Sequence, residues 1–228
     1  MKITFLGQAG LLFENDNSKI MIDSYFSDSV ALAEPEKRRR PPIDERFLET
    51  ELTALVITHC HADHFDRETL RHFLHRDSTL CVLSPVSVWK EVRAFAGNNN
   101  YLLFNAGTSV SAGSIRLYAV RAEHSDPAAI GVIVEDCEEG RFYYVTGDTL
   151  YSEKVFSSLP KFSFKAVFLP VNGQGNTLNF QDAARFFYRT GAEFAVPVHF
   201  GMFDSIDPSS WEVKEKIIPK IYEEIILR

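Results

Sequence analysis

An α/β fold with sheets inside and helices outside is predicted by the way strand-type and helix-type segments alternate along this 228-residue chain. Three observations carry that reading. Short runs rich in Ile, Val, Phe and Leu recur from one end of the sequence to the other. Amphipathic stretches with apolar residues at three- and four-residue spacing fall between them, and the connections are short and built from Gly, Asn, Asp and Pro. Apolar residues make up 45% of the chain and charged residues 24%, which excludes collagen-like, coiled-coil and disordered classes. No linker or low-complexity segment interrupts the pattern, so one domain over residues 1–228 is expected.

The first quarter opens a sheet, with strands at 3–6, 11–14, 19–23 and 53–58 set apart by Gly7, Gly10, Asn15 and Asn17. Residues 66–77 read as a helix, because Asp66 is a favourable N-cap and Leu70, Phe73 and Leu74 fall on one face. His72 and His75 lie off that stripe, on the solvated side. A strand at 79–83 precedes a helix over 85–95, opened by Pro85 and stopped by the Gly- and Asn-rich cluster at 97–100. Strands at 114–121, 129–135 and 141–146, with a tight turn at 136–140, form an antiparallel stretch. The last third predicts a strand at 165–169, a helix over 179–190 ending at Gly191, a strand at 193–198 and a terminal helix over 208–227. One irregular insertion, 24–45, stands apart from this alternation.

Charge and composition narrow the function. With 31 acidic against 24 basic residues the net charge is −7, which argues against a nucleic acid polymer as partner, since counterion release needs a basic surface. The most apolar windows, 52–58 and 165–171, are too short to cross a bilayer. The first seven residues lack the basic flank and cleavage site of a signal peptide, so no membrane partner and a cytoplasmic location are expected. Cys60, Cys81 and Cys137 cannot build a disulfide framework and read as small buried thiols in a reducing compartment. Aromatic residues near the C-terminus, Trp211 and Tyr222 among them, suit a contact in a homo-oligomer.

The chemistry concentrates in Thr58-His59-Cys60-His61-Ala62-Asp63-His64, where three of the chain's seven histidines crowd a loop between a strand and a helix. Imidazole with carboxylate is the donor set that zinc, manganese or iron accepts. His59 and His61 project the same way on extended backbone, while Asp63 and His64 follow the turn and can face a second position. The remaining donors belong at other strand ends, where His124, Asp148 and His199 stand. Asp23 ends a strand near the same edge and is expected to fix a ligand imidazole. Cys60 points away from the cluster by alternation and reads as a buried structural thiol.

His-x-His-x-Asp-His, then a His, then Gly-Asp, then a late His resembles the metallo-β-lactamase-fold hydrolase superfamily, over about residues 3–205. The phrases Glu123-His124-Ser125-Asp126-Pro127-Ala128-Ala129-Ile130-Gly131, Gly147-Asp148-Thr149-Leu150-Tyr151 and Pro197-Val198-His199-Phe200-Gly201-Met202-Phe203 look like its L-ascorbate-6-phosphate lactonase-like subgroup. The resemblance implies a four-layer αββα sandwich. It also implies two divalent ions, zinc or manganese, one on His59, His61 and His124 and the other on Asp63, His64 and His199, with Asp148 bridging.

Such a centre would hold a hydroxide with a pKa of roughly 7 for its parent water and about one net positive charge, suiting a small anionic substrate. Attack on a lactone or ester would follow, with Asp63 carrying a proton; a phosphodiester is the near rival. A redox di-iron protein on the same fold is a reading of another class. Those proteins resemble this pattern with a glutamate where His61 stands, and need a flavin partner for which no glycine-rich fingerprint is present. A β-lactamase proper would carry a cysteine where Asp148 stands. Two loops are candidates for setting specificity: the basic run Lys37-Arg38-Arg39-Arg40, which could hold a substrate phosphate, and the amide-rich Asn172-Gly173-Gln174-Gly175-Asn176.

Overall fold

The structure is a computed structural model that describes residues 1–95 and 97–228. One sheet runs in chain order through β1 (Lys2–Gly7), β2 (Gly10–Glu14), β3 (Lys19–Ile22), β4 (Ala54–Val56), β5 (Cys81–Ser84) and β6 (Asn100–Leu103). The other runs through β7 (Ser109–Ala112), β8 (Ile115–Arg121), β9 (Ile130–Asp136), β10 (Arg141–Val145), β11 (Phe164–Pro170) and β12 (Phe194–Val198). Tight turns, and between β8 and β9 the loop that carries His124, make β1–β2–β3 and β7–β8–β9–β10 antiparallel, whereas longer connections return the chain for parallel pairing along β3–β6 and β10–β12.

The helices are α1 (Val30–Ala33), α2 (Arg67–Arg76), α3 (Val86–Arg93), α4 (Glu153–Ser158) and α5 (Phe180–Thr190). α2 starts where Asp66 accepts a hydrogen bond from the Glu68 amide, and buries Leu70, Phe73 and Leu74. α5 is capped by Asn179 and stopped by Gly191 at φ 68°. The inner faces of the two sheets share a core of Phe5, Phe13, Ile22, Val132, Val145 and Phe168. α2 and α3 cover the first sheet through Leu70, Phe73 and Val88, and α4 and α5 cover the second through Val155, Phe186 and Phe187. This is the αββα sandwich, with its layers held by apolar burial. No helix among the described residues is long and apolar enough to cross a membrane.

The expected terminal helix over 208–227 does not form. A single 3₁₀ turn at Pro208–Ser210 gives way to an extended tail, because Pro219 would break a helix at its centre. The tail instead closes two sheet edges. Ile217 donates to the Ala195 carbonyl at 2.8 Å beside β12, and Ile225 donates to the Ile3 carbonyl at 2.8 Å beside β1. Trp211 is buried and offers no outer contact, while Tyr222, partly exposed, stacks on Phe47 with ring centres 5.3 Å apart. The edge strands β6 and β7 give no clear strand signal in the sequence, since Asn100–Leu103 is mostly exposed and two of the four residues of Ser109–Ala112 are serines.

Candidate metal centre

The alternating strand directions bring the carboxyl ends of β1, β3, β4, β8, β10, β11 and β12 to one edge of the sandwich, the usual place for a site in α/β folds. Loops there carry Gln8, Asp23, His59–His64, His124, Asp148, Asn172 and His199. Gly147 makes this possible for Asp148. It sits at φ 60°, and a Cβ on it would stand 2.5 Å from the Ile130 carbonyl oxygen.

All seven side chains singled out from the sequence converge, in two sets. His59, His61, His124 and Asp148 place one donor atom each within 4.8 Å of one another, and so do Asp63, His64 and His199. In the first set His61 Nδ1 lies 3.0 Å from His59 Nε2 and 3.1 Å from His124 Nε2. In the second, His199 Nε2 lies 3.2 Å from Asp63 Oδ2. Asp148 Oδ2 lies between the sets, 3.4 Å from His64 Nε2, 3.3 Å from His199 Nε2 and 3.9 Å from His59 Nε2.

The donors fit divalent cations. Three imidazole nitrogens on edges near 3 Å approach the roughly 3.3 Å edge of a tetrahedron with metal–nitrogen bonds of about 2.0–2.1 Å. His64 Nε2 is buried with no hydrogen-bond partner, a costly state that a cation would relieve. The outward nitrogens are held as metal-binding histidines require. His64 Nδ1 meets Asp23 Oδ2 at 2.8 Å, as expected for Asp23. Thr58 Oγ1 donates to the same carboxylate at 2.6 Å, which leaves it to accept from His59 Nδ1 at 3.0 Å. His124 Nδ1 donates to the Asn176 carbonyl at 3.1 Å.

Proton states divide the two sets. Burial, with the positive field of His64 behind it, pushes His59 well below the ordinary imidazole range, and burial also lowers His124. Burial opposes charge on His64 and His199 as well, but neighbouring carboxylates outweigh it: Asp148, Asp63 and Asp23 raise His64, and Asp148 and Asp63 raise His199 to about 10. For Asp63 and Asp148 burial would raise the carboxyl, yet the adjacent imidazoliums hold both below the usual carboxylate range. Protons on His64 and His199 thus neutralise Asp63 and Asp148 where cations would otherwise do so.

Beside this edge lies a cavity of about 340 Å³, lined by Gln8, Lys37, Asp63, Asp148, Gln174 and Phe203 among others. Larger hollows elsewhere, at Thr50–Leu80 and beside β8, lack this donor chemistry. Lys37 reaches the cavity while pairing with Glu34 at 2.6 Å. Arg39 does not serve as a phosphate holder, because its guanidinium is spent on the Tyr25 and Pro41 carbonyls and the Tyr222 hydroxyl, pinning the insertion in place. Cys60 and Cys137 are exposed and Cys81 is only partly buried, so the expectation of buried thiols fails. The Cys60 amide donates to Asp126 at 3.1 Å, and Asp126 also takes the Ser87 hydroxyl at 2.6 Å, which ties the loop of His59–His61 to that of His124. Sequence reading passed over Gln8 and did not foresee Asn172 as a contact of His199, at 2.8 Å from its Nδ1. Their one signal was position, each just past a strand that ends at this edge.

An αββα sandwich with a histidine- and aspartate-rich strand-end edge defines a metal-centre class of protein. Residues 18–200 match the β-lactamase superfamily domain, and the chain belongs to that family. A UPF0173 protein of Pyrococcus furiosus is 26% identical over 93% of this chain and 89% of its own length. A UPF0173 metal-dependent hydrolase of Staphylococcus epidermidis is likewise 26% identical, over 95% of this chain and 93% of its own. Among solved structures, a metallo hydrolase from Ignicoccus hospitalis superposes with a TM-score of 0.76 at 20% identity, over 98% of this chain and 97% of that one, which is a likeness of fold.

Proposed function

We propose that this metal-dependent hydrolase of the β-lactamase fold opens a small anionic lactone or ester, in the manner of the L-ascorbate-6-phosphate lactonase-like subgroup, using two divalent ions, zinc or manganese. The observation that carries the reading is Asp148 Oδ2, set 3.3–3.9 Å from imidazole nitrogens of both donor sets. His59, His61 and His124 would hold one ion, Asp63, His64 and His199 the other, and Asp148 both. Bound there, the ions would supply Lewis acidity and an acidified water.

The chain's own groups do the rest. Asp63, only partly covered and on the cavity wall, is placed to take a proton from the water and return it to the leaving group. Lys37 supplies the one lysine or arginine lining the cavity among the described residues, and suits a substrate carboxylate or phosphate. A space of about 340 Å³ restricts the substrate to a small molecule. The test is metal analysis of purified protein together with a panel of sugar-phosphate lactones and bis(p-nitrophenyl) phosphate. Two ions per chain and lactone opening without diester cleavage are expected. The reverse selectivity would move the assignment to a phosphodiesterase, and redox-active iron without hydrolysis would overturn it.

A further inference from the structure

Gln8 occupies an unusual place. It is buried at 2% exposure just past β1, where Gly7 at φ 92° lets the chain bend; a Cβ on Gly7 would stand 2.6 Å from Met202 and Ile221. Gln8 itself sits at φ 51° and His199 at φ 61°, left-handed conformations that non-glycine residues seldom adopt. The two are locked together, since the His199 amide donates to the Gln8 carbonyl at 2.6 Å. This joins the edge of one sheet to the edge of the other. The strain has a consequence at the side chains. Gln8 Nε2 donates to Asp63 Oδ2 at 2.7 Å and lies 3.1 Å and 3.2 Å from the two ring nitrogens of His199. A carboxylate neighbour requires the amide nitrogen on that side.

We infer that Gln8 is a positioning residue that sets Asp63 and His199 for one of the two cation positions and leaves the His59–His61–His124 position untouched, an inference that rests on the two-cation reading. Nothing in that other set lies within hydrogen-bond distance of the Gln8 amide; its outer partners are Thr58, Asn176 and Ser125. Asp63 and His199 come from different sheets, so their separation depends on the junction that Gln8 bridges. Outer partners of this kind typically govern metal affinity by about 10–100-fold.

The experiment measures Zn²⁺ affinity by chelator competition in two backgrounds. His124→Ala leaves the Asp63 set complete, and His199→Ala leaves the His59 set complete. Gln8→Gly removes the amide while easing the left-handed backbone, and Gln8→Met keeps the volume without donors. Both should weaken Zn²⁺ roughly 10–100-fold in the first background and not in the second. In the otherwise wild-type chain each should leave one retained ion and one lost on dialysis, a readout that stands if a single-set chain fails to fold. Unchanged affinity in the first background, equal losses in both, or two ions retained after dialysis would overturn the inference. A wild-type chain that never holds two ions would overturn the two-cation reading beneath it.

Discussion

The two donor sets share Asp148 yet are built differently. The Asp63 set carries a carboxylate of its own, has His64 and His199 buried, and is braced by Asp23, Gln8 and Asn172. The His59 set is all imidazole apart from Asp148, with His61 and His124 partly exposed and held by a backbone carbonyl and hydroxyls. Without cations the first is occupied by protons, while His59 and His124 in the second are kept neutral. Carboxylate density near an imidazole stabilises a positive charge of either kind, proton or metal, whereas burial, with neighbouring imidazoles adding to it, keeps His59 and His124 neutral and their lone pairs free.

The largest effect should come from the group common to both sets. Asp148→Ala should abolish the retention of both ions and lower turnover by roughly a thousandfold, checked by metal analysis and initial rates. Loss of one ion only would show that the sets do not share it. Next in size is a reversal with pH. His199, raised to about 10 from 6.5, stabilises the metal-free fold fully below pH 6.5, and that contribution fades as pH climbs toward 10. Cation binding must expel the same proton, so stabilisation by added Zn²⁺ should grow over the same interval. Thermal unfolding from pH 6 to 10, with and without metal, checks both signs. In the His199→Ala chain the growth should shrink, with the proton on His64 accounting for what remains.

Asp23→Asn should be smaller and confined to one side, weakening the ion on the Asp63 set by about 10–100-fold through His64, as chelator competition would record. Equal weakening at the His59 set would mean that the Thr58 link carries as much as the direct contact. Smallest is Arg39→Ala. With its guanidinium bound to two carbonyls and Tyr222, this residue should affect the wall next to the Asp63 set through stability, by about 1–3 kcal/mol, with KM for a phosphorylated substrate little changed. Lys37→Ala should do the opposite, raising KM for anionic substrates while the unfolding temperature holds. Together the two variants separate the part of the insertion that builds the wall from the part that faces the cavity.

Much of this was legible beforehand. Helix α2 follows from Asp66 and the Leu70–Phe73–Leu74 stripe, and the donors of both sets follow from histidines and aspartates placed where strands end. What escaped notice did so for stated reasons. Residues 208–227 have helix-like apolar spacing, but Pro219 and two open sheet edges favour an extended tail. The basic run at 37–40 carries no sign of which guanidinium the fold will consume. Gln8 carried no signal beyond its position just past a strand, since an amide beside glycine is ordinary turn chemistry until a second strand end is brought against it.

Periodicity, capping and the spacing of histidine and aspartate are properties of neighbouring residues, so the order of residues alone determined the α/β class and the seven donor-type residues at strand ends, while the αββα arrangement was implied by the resemblance of their motif. Distances between donors separated by more than a hundred residues depend on how two sheets pack and on which carbonyls and amides remain to be satisfied. Only the tertiary structure therefore decided which imidazole Asp23 meets, that Gln8 reaches Asp63, and that Lys37 rather than Arg39 faces the cavity.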